Sequence, residues 1–146
     1  MVAIDSETTG LNLHHGCRPF LVSICDESGA QSYWEWDVDP LTREVLAPPE
    51  DVQEIRETIQ GQERVLHNAK FDVQALETLD PRFGEEWEWS LTHDTLIMGH
   101  LLNSSQPHDP TFMTFFYLGL NIKPFEDRLK ESVGEARRVV KSEYPQ

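Results

Sequence analysis

This 146-residue sequence has few cysteines, few basic side chains and no long apolar run. Its two cysteines, Cys17 and Cys25, are too few for a disulfide framework and lack the spacing of metal ligands, so we interpret both as structural residues. No stretch of about 18 apolar residues is present, and no signal-peptide pattern precedes Asp5. We therefore expect an intracellular protein that does not enter a membrane.

The shortage of basic side chains restricts the possible partners. The net charge of −14 would argue against a nucleic-acid partner if it were evenly distributed, because phosphate binding depends largely on Lys and Arg. However, residues 1–122 contain 6 basic and 21 acidic residues, whereas residues 123–146 contain 6 basic and 5 acidic ones. An excess of acids suits an enzyme whose carboxylates hold metal ions against phosphate, and it does not suit a simple binding module.

Histidines and aromatic residues give weaker indications. The six histidines form no His-x-x-x-His or Glu-x-x-His pair with a matching third ligand, which favours surface or capping roles over a zinc site. Aromatic residues that alternate with acids in strand-like runs are expected mostly to pack in the core, although they are also able to stack on bases. These residues are Tyr33, Trp34, Trp36, Trp87 and Trp89.

The order of apolar patterns predicts one α/β domain over residues 1–146, with a mixed five-stranded sheet flanked by helices. Strand-like runs occur at the N-terminus and at residues 20–25, 31–36, 64–67 and 87–92. Helical patterns follow Pro48, surround Leu76, follow Asp94 as a cap, cover residues 111–118 and fill the segment beyond residue 123. We expect the first and fourth strands to pair in parallel.

Two of the predicted helices differ in their apolar pattern. Residues 111–118 are apolar on almost every side, which predicts a buried helix. The last helix is amphipathic, with basic side chains mostly outside its apolar stripe. That stripe consists of Phe125, Leu129, Val133, Ala136 and Val140.

The N-terminal run Val-Ala-Ile-Asp-Ser-Glu-Thr-Thr-Gly-Leu places two carboxylates, Asp5 and Glu7, on an apolar strand. Side chains alternate faces along a strand, so the two acids project from one side while Ile4 points to the other. Like charges at this distance repel unless a cation lies between them. The pattern therefore predicts either a metal site or ordinary surface charge.

A second acidic group lies in the run His-Asn-Ala-Lys-Phe-Asp at residues 67–72, where a predicted strand ends and a helix begins. Asn68 and Asp72 are four residues apart and share a helix face. Asp72 is thus placed to face Asp5 and Glu7. The simpler alternative is that Asn68 caps the helix and Asp72 interacts with the helix dipole.

Together, Asp5–Leu11 and Asn68–Asp72 resemble the first two motifs of the DEDD superfamily of 3′→5′ exonucleases, Asp-x-Glu and Asn-x-x-x-Asp. His93-Asp94-Thr95-Leu96, followed by Leu101-Leu102, is similar to a helix start in the proofreading domain of family A DNA polymerases, especially phage ones. The resemblance covers residues 2–103 and implies a ribonuclease-H-like fold.

The resemblance also implies roles for individual residues in two-metal phosphodiester hydrolysis. Asp5 would bridge two Mg²⁺ or Mn²⁺ ions, Glu7 would complete one site, and Asp72 would hold the second ion directly or through water. Substrate contacts are implied at three further positions. They are Leu11 against the terminal base, the backbone near Thr8 at the 3′ hydroxyl, and Asn68 at the penultimate nucleotide.

The third motif of the superfamily, Tyr-x-x-x-Asp or His-x-x-x-x-Asp on a late helix, is missing. Tyr33 and Asp37 have the right spacing but lie between the first two motifs. Tyr117 has no acid four residues later, and Tyr144 is followed by only two residues. We therefore expect a C-terminally incomplete domain with one metal site short of a ligand, and weak or absent activity in this chain alone.

From these patterns we expect a 3′→5′ exonuclease for single-stranded DNA 3′ ends, the proofreading part of a phage-like DNA polymerase. It would work with a polymerase domain in the same or another chain, in the cytoplasm of a bacterium or of a phage-infected host. Two alternatives stay open: a degenerate, noncatalytic exonuclease fold that binds nucleic acid or a replication partner, and a ribonuclease of the same superfamily.

Overall fold

The computed structural model describes residues 1–143. The chain divides into two compact units, Met1–Leu101 and Leu102–Gln146. Residues 144–146, including Tyr144, lie outside the described residues, and so do the side chains of Val140, Lys141 and Glu143. Among the described helices, none is both long and apolar enough to cross a membrane.

The first unit contains a sheet whose described strands number five, in the order β3-β2-β1-β4-β5. The strands are β1 (Val2–Thr8), β2 (Pro19–Asp26), β3 (Gln31–Glu35), β4 (Arg64–Leu66) and β5 (Thr92–Asp94). β1 pairs with β2 in antiparallel register and with β4 in parallel, and β4 pairs with β5 in parallel. The predicted parallel pairing of the first and fourth strands is confirmed.

The first unit contains four described α-helices, and proline and glycine mark the two ends of the first of them. The helices are α1 (Pro49–Ile59), α2 (Ala69–Glu77), the short α3 (Arg82–Glu85) and α4 (Thr95–Leu102). Pro49 occupies the first turn of α1, where its missing N–H is no loss, and Gly61 follows the end of the helix with φ +67°, a conformation that glycine adopts without strain.

The core of the first unit lies between the sheet and its helices. Ile4 and Val22 from the central strands meet Ile55 of α1 and Leu76 of α2, and all four are almost fully buried. Each apolar set has the period of its element, two in the strands and three to four in the helices. The core thus uses one face of β1 and leaves the other face to its acids.

The predicted strand at residues 87–92 is wrong in position. The backbone turns there into a 3₁₀ helix, Trp89–Leu91, and β5 begins only at Thr92. The Trp87 indole Nε1 donates a hydrogen bond of 3.0 Å to Thr92 Oγ1, which closes the turn. Of the aromatic residues expected in the core, Trp36 and Trp87 are buried, Trp34 is half-buried, and Tyr33 and Trp89 are exposed.

In the second unit, α5 (Pro110–Leu118) is followed by α6 (Lys123–Glu143). The prediction that residues 111–118 form a buried helix is wrong, since Phe115, Phe116 and Leu118 are 59%, 56% and 68% exposed. Among the side chains whose burial is described in this unit, none is buried. A unit of this size is too small to enclose a core of its own, so apolar composition alone does not produce burial.

Candidate active site

β1 separates its polar side chains by face. Ile4 and Ser6 are buried, whereas Asp5 and Glu7 lie on the exposed face, as the alternation predicted. The carboxylates of one face and the hydroxyl of the other therefore come from three consecutive residues of one strand. This arrangement brings Ser6 within reach of the helix that packs behind β1.

Asp72, in the first turn of α2, meets β1 through Ser6. The Ser6 backbone N–H and hydroxyl both donate to Asp72 Oδ1, at 3.1 and 2.7 Å. Both side chains are buried, with Ser6 8% and Asp72 3% exposed. Two bonds from a single residue fix the Asp72 carboxyl group against the strand that carries the other two acids.

Burial and repulsion from the Asp5 carboxylate disfavour the ionised forms of Asp72 and Glu7. Burial raises the pKa of Asp72 to about 6; the hydrogen bonds from Ser6 oppose the rise, and the Asp5 carboxylate adds to it. Partial burial, and then the Asp5 charge, also raise the pKa of Glu7. Asp5 therefore acts on both of the other carboxyl groups, and a cation bound among them would relieve the repulsion.

Two predicted substrate contacts lie at the end of β1: Thr8 is its last residue, and Leu11 lies in the turn that follows. Thr8 is half-buried and donates its hydroxyl to the Gly10 carbonyl at 2.9 Å. Leu11 is 86% exposed, which places a large apolar side chain in contact with water beside the acidic strand.

Asn68 occupies the position before α2 in a left-handed conformation, φ +70° and ψ +53°. Asn68 therefore holds the N-cap position that the simpler alternative predicted, and Asp72 lies in the first turn, but the Asn68 side chain makes no capping hydrogen bond. The side chain is exposed instead. A non-glycine residue with positive φ costs free energy, and such strain is concentrated at functional sites.

The donor chemistry fits Mg²⁺ or Mn²⁺, since Asp5, Glu7 and Asp72 supply hard oxygen ligands. The geometry is less complete, because among the side chains that the structure describes no three or more from His, Cys, Asp or Glu gather closely enough to hold a metal ion. Asp5 and Glu7 occupy the exposed face of β1, while the Asp72 carboxyl is bound to Ser6 on its buried face.

Two functional candidates escaped the sequence interpretation. Ser6 was considered only as the residue between two acids, although its burial follows from the same alternation that exposed Asp5 and Glu7. Asp94 caps α4 as predicted, through the Leu96 and Ile97 N–H groups, but it also accepts from the Asn68 and Ala69 N–H groups. Parallel pairing of β4 with β5 places Asp94 beside Leu66, and it is the feature that would have indicated the contact with Asn68 and Ala69.

No known protein-family profile matches the chain. It is 31% identical over 105 residues to the DNA polymerase DpoZ of Salmonella phage PMBT28; the match covers 71% of this chain and 16% of that protein. The chain thus spans only a small part of the length of this curated relative.

Solved structures show the same fold. Brucella melitensis NrnC with bound Mg²⁺ matches with a TM-score of 0.58 at 21% identity over 84% of this chain and 55% of that one. NrnC bound to pGG matches at 22% identity with a TM-score of 0.58, over 84% and 54%. The POL domain of Pol1 from M. smegmatis, in complex with DNA primer-template and dNTP, matches with a TM-score of 0.53 at 19% identity, over 84% and 19%.

These matches confirm the resemblance that the motifs indicated. The chain has the DEDD 3′→5′ exonuclease fold, an α/β fold of ribonuclease-H-like type with a mixed five-stranded sheet over the described residues.

Proposed function

We propose that this chain is a metal-dependent 3′→5′ exonuclease domain that removes nucleotides from single-stranded DNA 3′ ends. We place it in proofreading by a phage-like DNA polymerase, with a polymerase domain in the same or another chain. Its setting would be the cytoplasm of a bacterium or of a phage-infected host. The similarity to phage DpoZ supports the association with a polymerase.

A single observation carries the proposal: the contact between β1 and α2. Asp72 is bound by Ser6, the residue between Asp5 and Glu7, and the Asp5 charge raises the pKa of both other carboxyl groups. Burying and concentrating acids in this way destabilises a fold. An exonuclease provides a reason to pack a helix that carries an acid against a strand that carries two more, because it binds cations at a phosphodiester through carboxylates.

In this proposal Asp5, Glu7 and Asp72 hold Mg²⁺ or Mn²⁺, and the fold supplies the rest. Bound there, the metal would offset the phosphate charge and make water a stronger nucleophile. Leu11 would pack on the terminal base, the backbone near Thr8 would bind the 3′ hydroxyl, and Asn68 would contact the next nucleotide. Mg²⁺ bound to NrnC, on the same fold, supports this choice of ion.

The test is the release of nucleotides from single-stranded DNA labelled at either end, with Mg²⁺, Mn²⁺ or EDTA. A 3′→5′ exonuclease releases a 3′ label first and shortens a 5′-labelled strand stepwise. We expect this activity to disappear with EDTA and in the Asp5→Ala and Asp72→Ala variants. Because the third motif is missing from the sequence, we expect a slow wild-type rate.

Asp37→Ala is the matched control. Asp37 is an exposed carboxylate of the same unit and completes the misplaced Tyr-x-x-x-Asp spacing. We expect it to keep wild-type activity. Activity that persists in Asp5→Ala, or metal-independent cleavage, would contradict the proposal. DNA binding without cleavage in the wild type would instead favour the noncatalytic alternative.

A ribonuclease is the second candidate, because a structure on the same fold was solved as NrnC bound to pGG. The same assay with matched DNA and RNA strands separates the two. Faster shortening of RNA, with the same dependence on Asp5 and Asp72, would establish the ribonuclease in place of the DNA exonuclease.

A further inference from the structure

The turn that presents Asn68 is bound at each of its four residues by Asp94 and Thr95. Asp94 Oδ1 accepts from the Asn68 N–H at 3.1 Å, and Asp94 Oδ2 accepts from the Ala69 N–H at 2.9 Å. Thr95 Oγ1 donates to the Leu66 carbonyl at 3.1 Å and lies 2.9 Å from His67 Nδ1. The pair therefore binds the whole stretch from Leu66 to Ala69.

The Thr95 hydroxyl also determines which way the hydrogen bond to His67 runs. A threonine hydroxyl has one proton, and in this structure it is directed to the Leu66 carbonyl. The oxygen must then accept from His67, so Nδ1 of the imidazole carries a proton. His67 thus donates to Thr95, and Thr95 donates to the Leu66 carbonyl. These two hydrogen bonds hold the end of β4 in one orientation.

The same carboxylate ties two helix starts together. Besides binding the Asn68 and Ala69 N–H groups at the start of α2, Asp94 accepts through Oδ1 from the Leu96 N–H, at 2.9 Å, at the start of α4. Asp94 reaches both because β5 runs parallel to β4, with Leu66 opposite Asp94 in the register. Asn68 needs no capping bond of its own, so its exposed amide is available to a ligand.

We propose that Asp94 and Thr95 are positioning residues: they hold the Leu66–Ala69 turn so that the left-handed Asn68 presents its side chain to a nucleotide of a bound single strand. The inference rests on the proposed function for the nucleotide, while the control of the Asn68 conformation stands on the hydrogen bonds alone. Left-handed asparagine is strained, and the Asp94 bonds stabilise it.

The test has two readouts on the full chain. The first is the backbone chemical shifts of Asn68, which report its φ and ψ without any ligand. The second is binding of a 5′-fluorescein-labelled single-stranded DNA by fluorescence anisotropy in EDTA, where no hydrolysis occurs. Asp94→Asn keeps the side-chain shape but replaces one acceptor oxygen by an NH₂ group, which cannot accept from the backbone.

In Asp94→Asn, we expect the Asn68 shifts to leave the left-handed range and DNA binding to weaken by about two- to tenfold, the equivalent of one hydrogen bond. In an Asn68→Gly background, glycine adopts positive φ without strain and has no amide to present. There, Asp94→Asn should cause no further loss of binding. A merely structural cap would weaken binding by the same factor in both backgrounds and would overturn the proposal.

Three further variants serve as controls. Thr95→Val removes the hydroxyl at constant shape and should move the His67 and Asn68 shifts, whereas Thr95→Ser should retain them; these variants decide the question if Asp94→Asn does not fold. Asp109→Asn makes the same substitution at a comparable cap, on the Phe112 N–H of α5, and should change neither readout.

The outcomes separate the two proposals. Unchanged Asn68 shifts in Asp94→Asn and in Thr95→Val overturn the positioning role, whatever the DNA result. If those shifts move but wild-type protein neither binds a single strand in EDTA nor shortens one with Mg²⁺ or Mn²⁺, the proposed function fails, and the nucleotide-presenting role fails with it. If the Asn68 shifts move in Asp94→Asn, and DNA binding weakens there but not in the Asn68→Gly background, the positioning role and the proposed function are both supported.

Discussion

The two units of this chain differ in how far along the sequence their contacts reach. In Met1–Leu101, the Ser6–Asp72 bond joins residues 66 positions apart and the Asn68–Asp94 bond joins residues 26 apart. In the described part of Leu102–Gln146, side-chain bonds are mainly local, such as Asp109 to the Phe112 N–H. Only the first unit has a buried core among the residues whose burial is described.

This difference explains where a site is able to form. Acids become a site when distant segments hold them against each other, and the sheet provides that framework through strands that are far apart in sequence. Helices joined by local bonds offer apolar and charged faces but do not hold distant groups in register. The four predictions below test this contrast between the units.

The largest expected effect comes from removing the same side chain in each unit. Leu76→Ala in α2 empties a fully buried position and should lower the free energy of unfolding by about 2–5 kcal/mol. Leu118→Ala in α5 removes a side chain that is 68% exposed and should cost less than about 1 kcal/mol. Urea unfolding measures both, and equal losses would show that α5 is covered in solution.

Asp72→Asn tests the buried charge of the first unit. The folded pKa of about 6 lies above the unfolded value of 3.8, so the folded state retains a proton that the unfolded state has released. Stability from this group is therefore present at low pH and is lost as the pH rises from about 4 to about 6. Above that window Asp72→Asn should be the more stable protein, by at most about 3 kcal/mol.

Thermal unfolding across pH 3 to about 8 measures this difference, with the wild type as reference. The two proteins should converge below the window, where Asp72 is protonated in both states. If the Asp72→Asn substitution instead destabilised the protein at neutral pH, then the carboxylate would be better satisfied than its burial implies, and the electrostatic argument for a cation site would weaken.

Ser6→Ala removes the hydroxyl donor to Asp72 and leaves the backbone donor in place. We expect a loss of about 1–3 kcal/mol in the free energy of unfolding, as for a buried hydrogen bond to an ionisable group. We also expect a higher Asp72 pKa, since the Ser6 bond lowers it. Ser6→Thr keeps the hydroxyl and should retain both the free energy of unfolding and the Asp72 pKa. Ser32→Ala, at an exposed serine of β3, should have little effect on either. Chemical unfolding and NMR titration provide the two measurements.

Asp109→Ala should have the smallest effect, about 1 kcal/mol from the loss of one helix cap. Because its bond is local, hydrogen exchange should increase in α5 and stay unchanged in β1, β4 and α2. Faster exchange in those elements of the first unit would show that the two units unfold together and would remove the contrast between them.

Part of the site could be predicted because it depends on periodicity and short spacing. Alternation along β1 predicted that Asp5 and Glu7 share a face, and the helical pattern after residue 68 predicted that Asp72 lies in the first turn of α2. The two motifs together identified the fold. The metal-binding and substrate-binding roles of these residues stay predictions.

Other features of the first unit could not be predicted from local patterns. The predicted strand at residues 87–92 was wrong in position because the Trp87 side chain bonds Thr92 and closes a turn there. A capping hydrogen bond from the Asn68 side chain is absent because Asp94, 26 residues away, accepts from the N–H groups at the start of α2. Each error came from a contact between residues whose proximity the pattern does not contain.

The amino-acid sequence by itself determined most of the strand and helix order of the first unit, apart from α3 and the position of β5, and it placed the acidic motifs on their elements, because these follow from the local period of apolar and polar residues. The parallel β1–β4 pairing was expected from the order of those elements. Tertiary structure alone decided that Ser6 binds Asp72, that Asp94 and Thr95 hold a left-handed Asn68, and that α5 is exposed. Those features depend on which distant groups meet, and chain folding in three dimensions sets that.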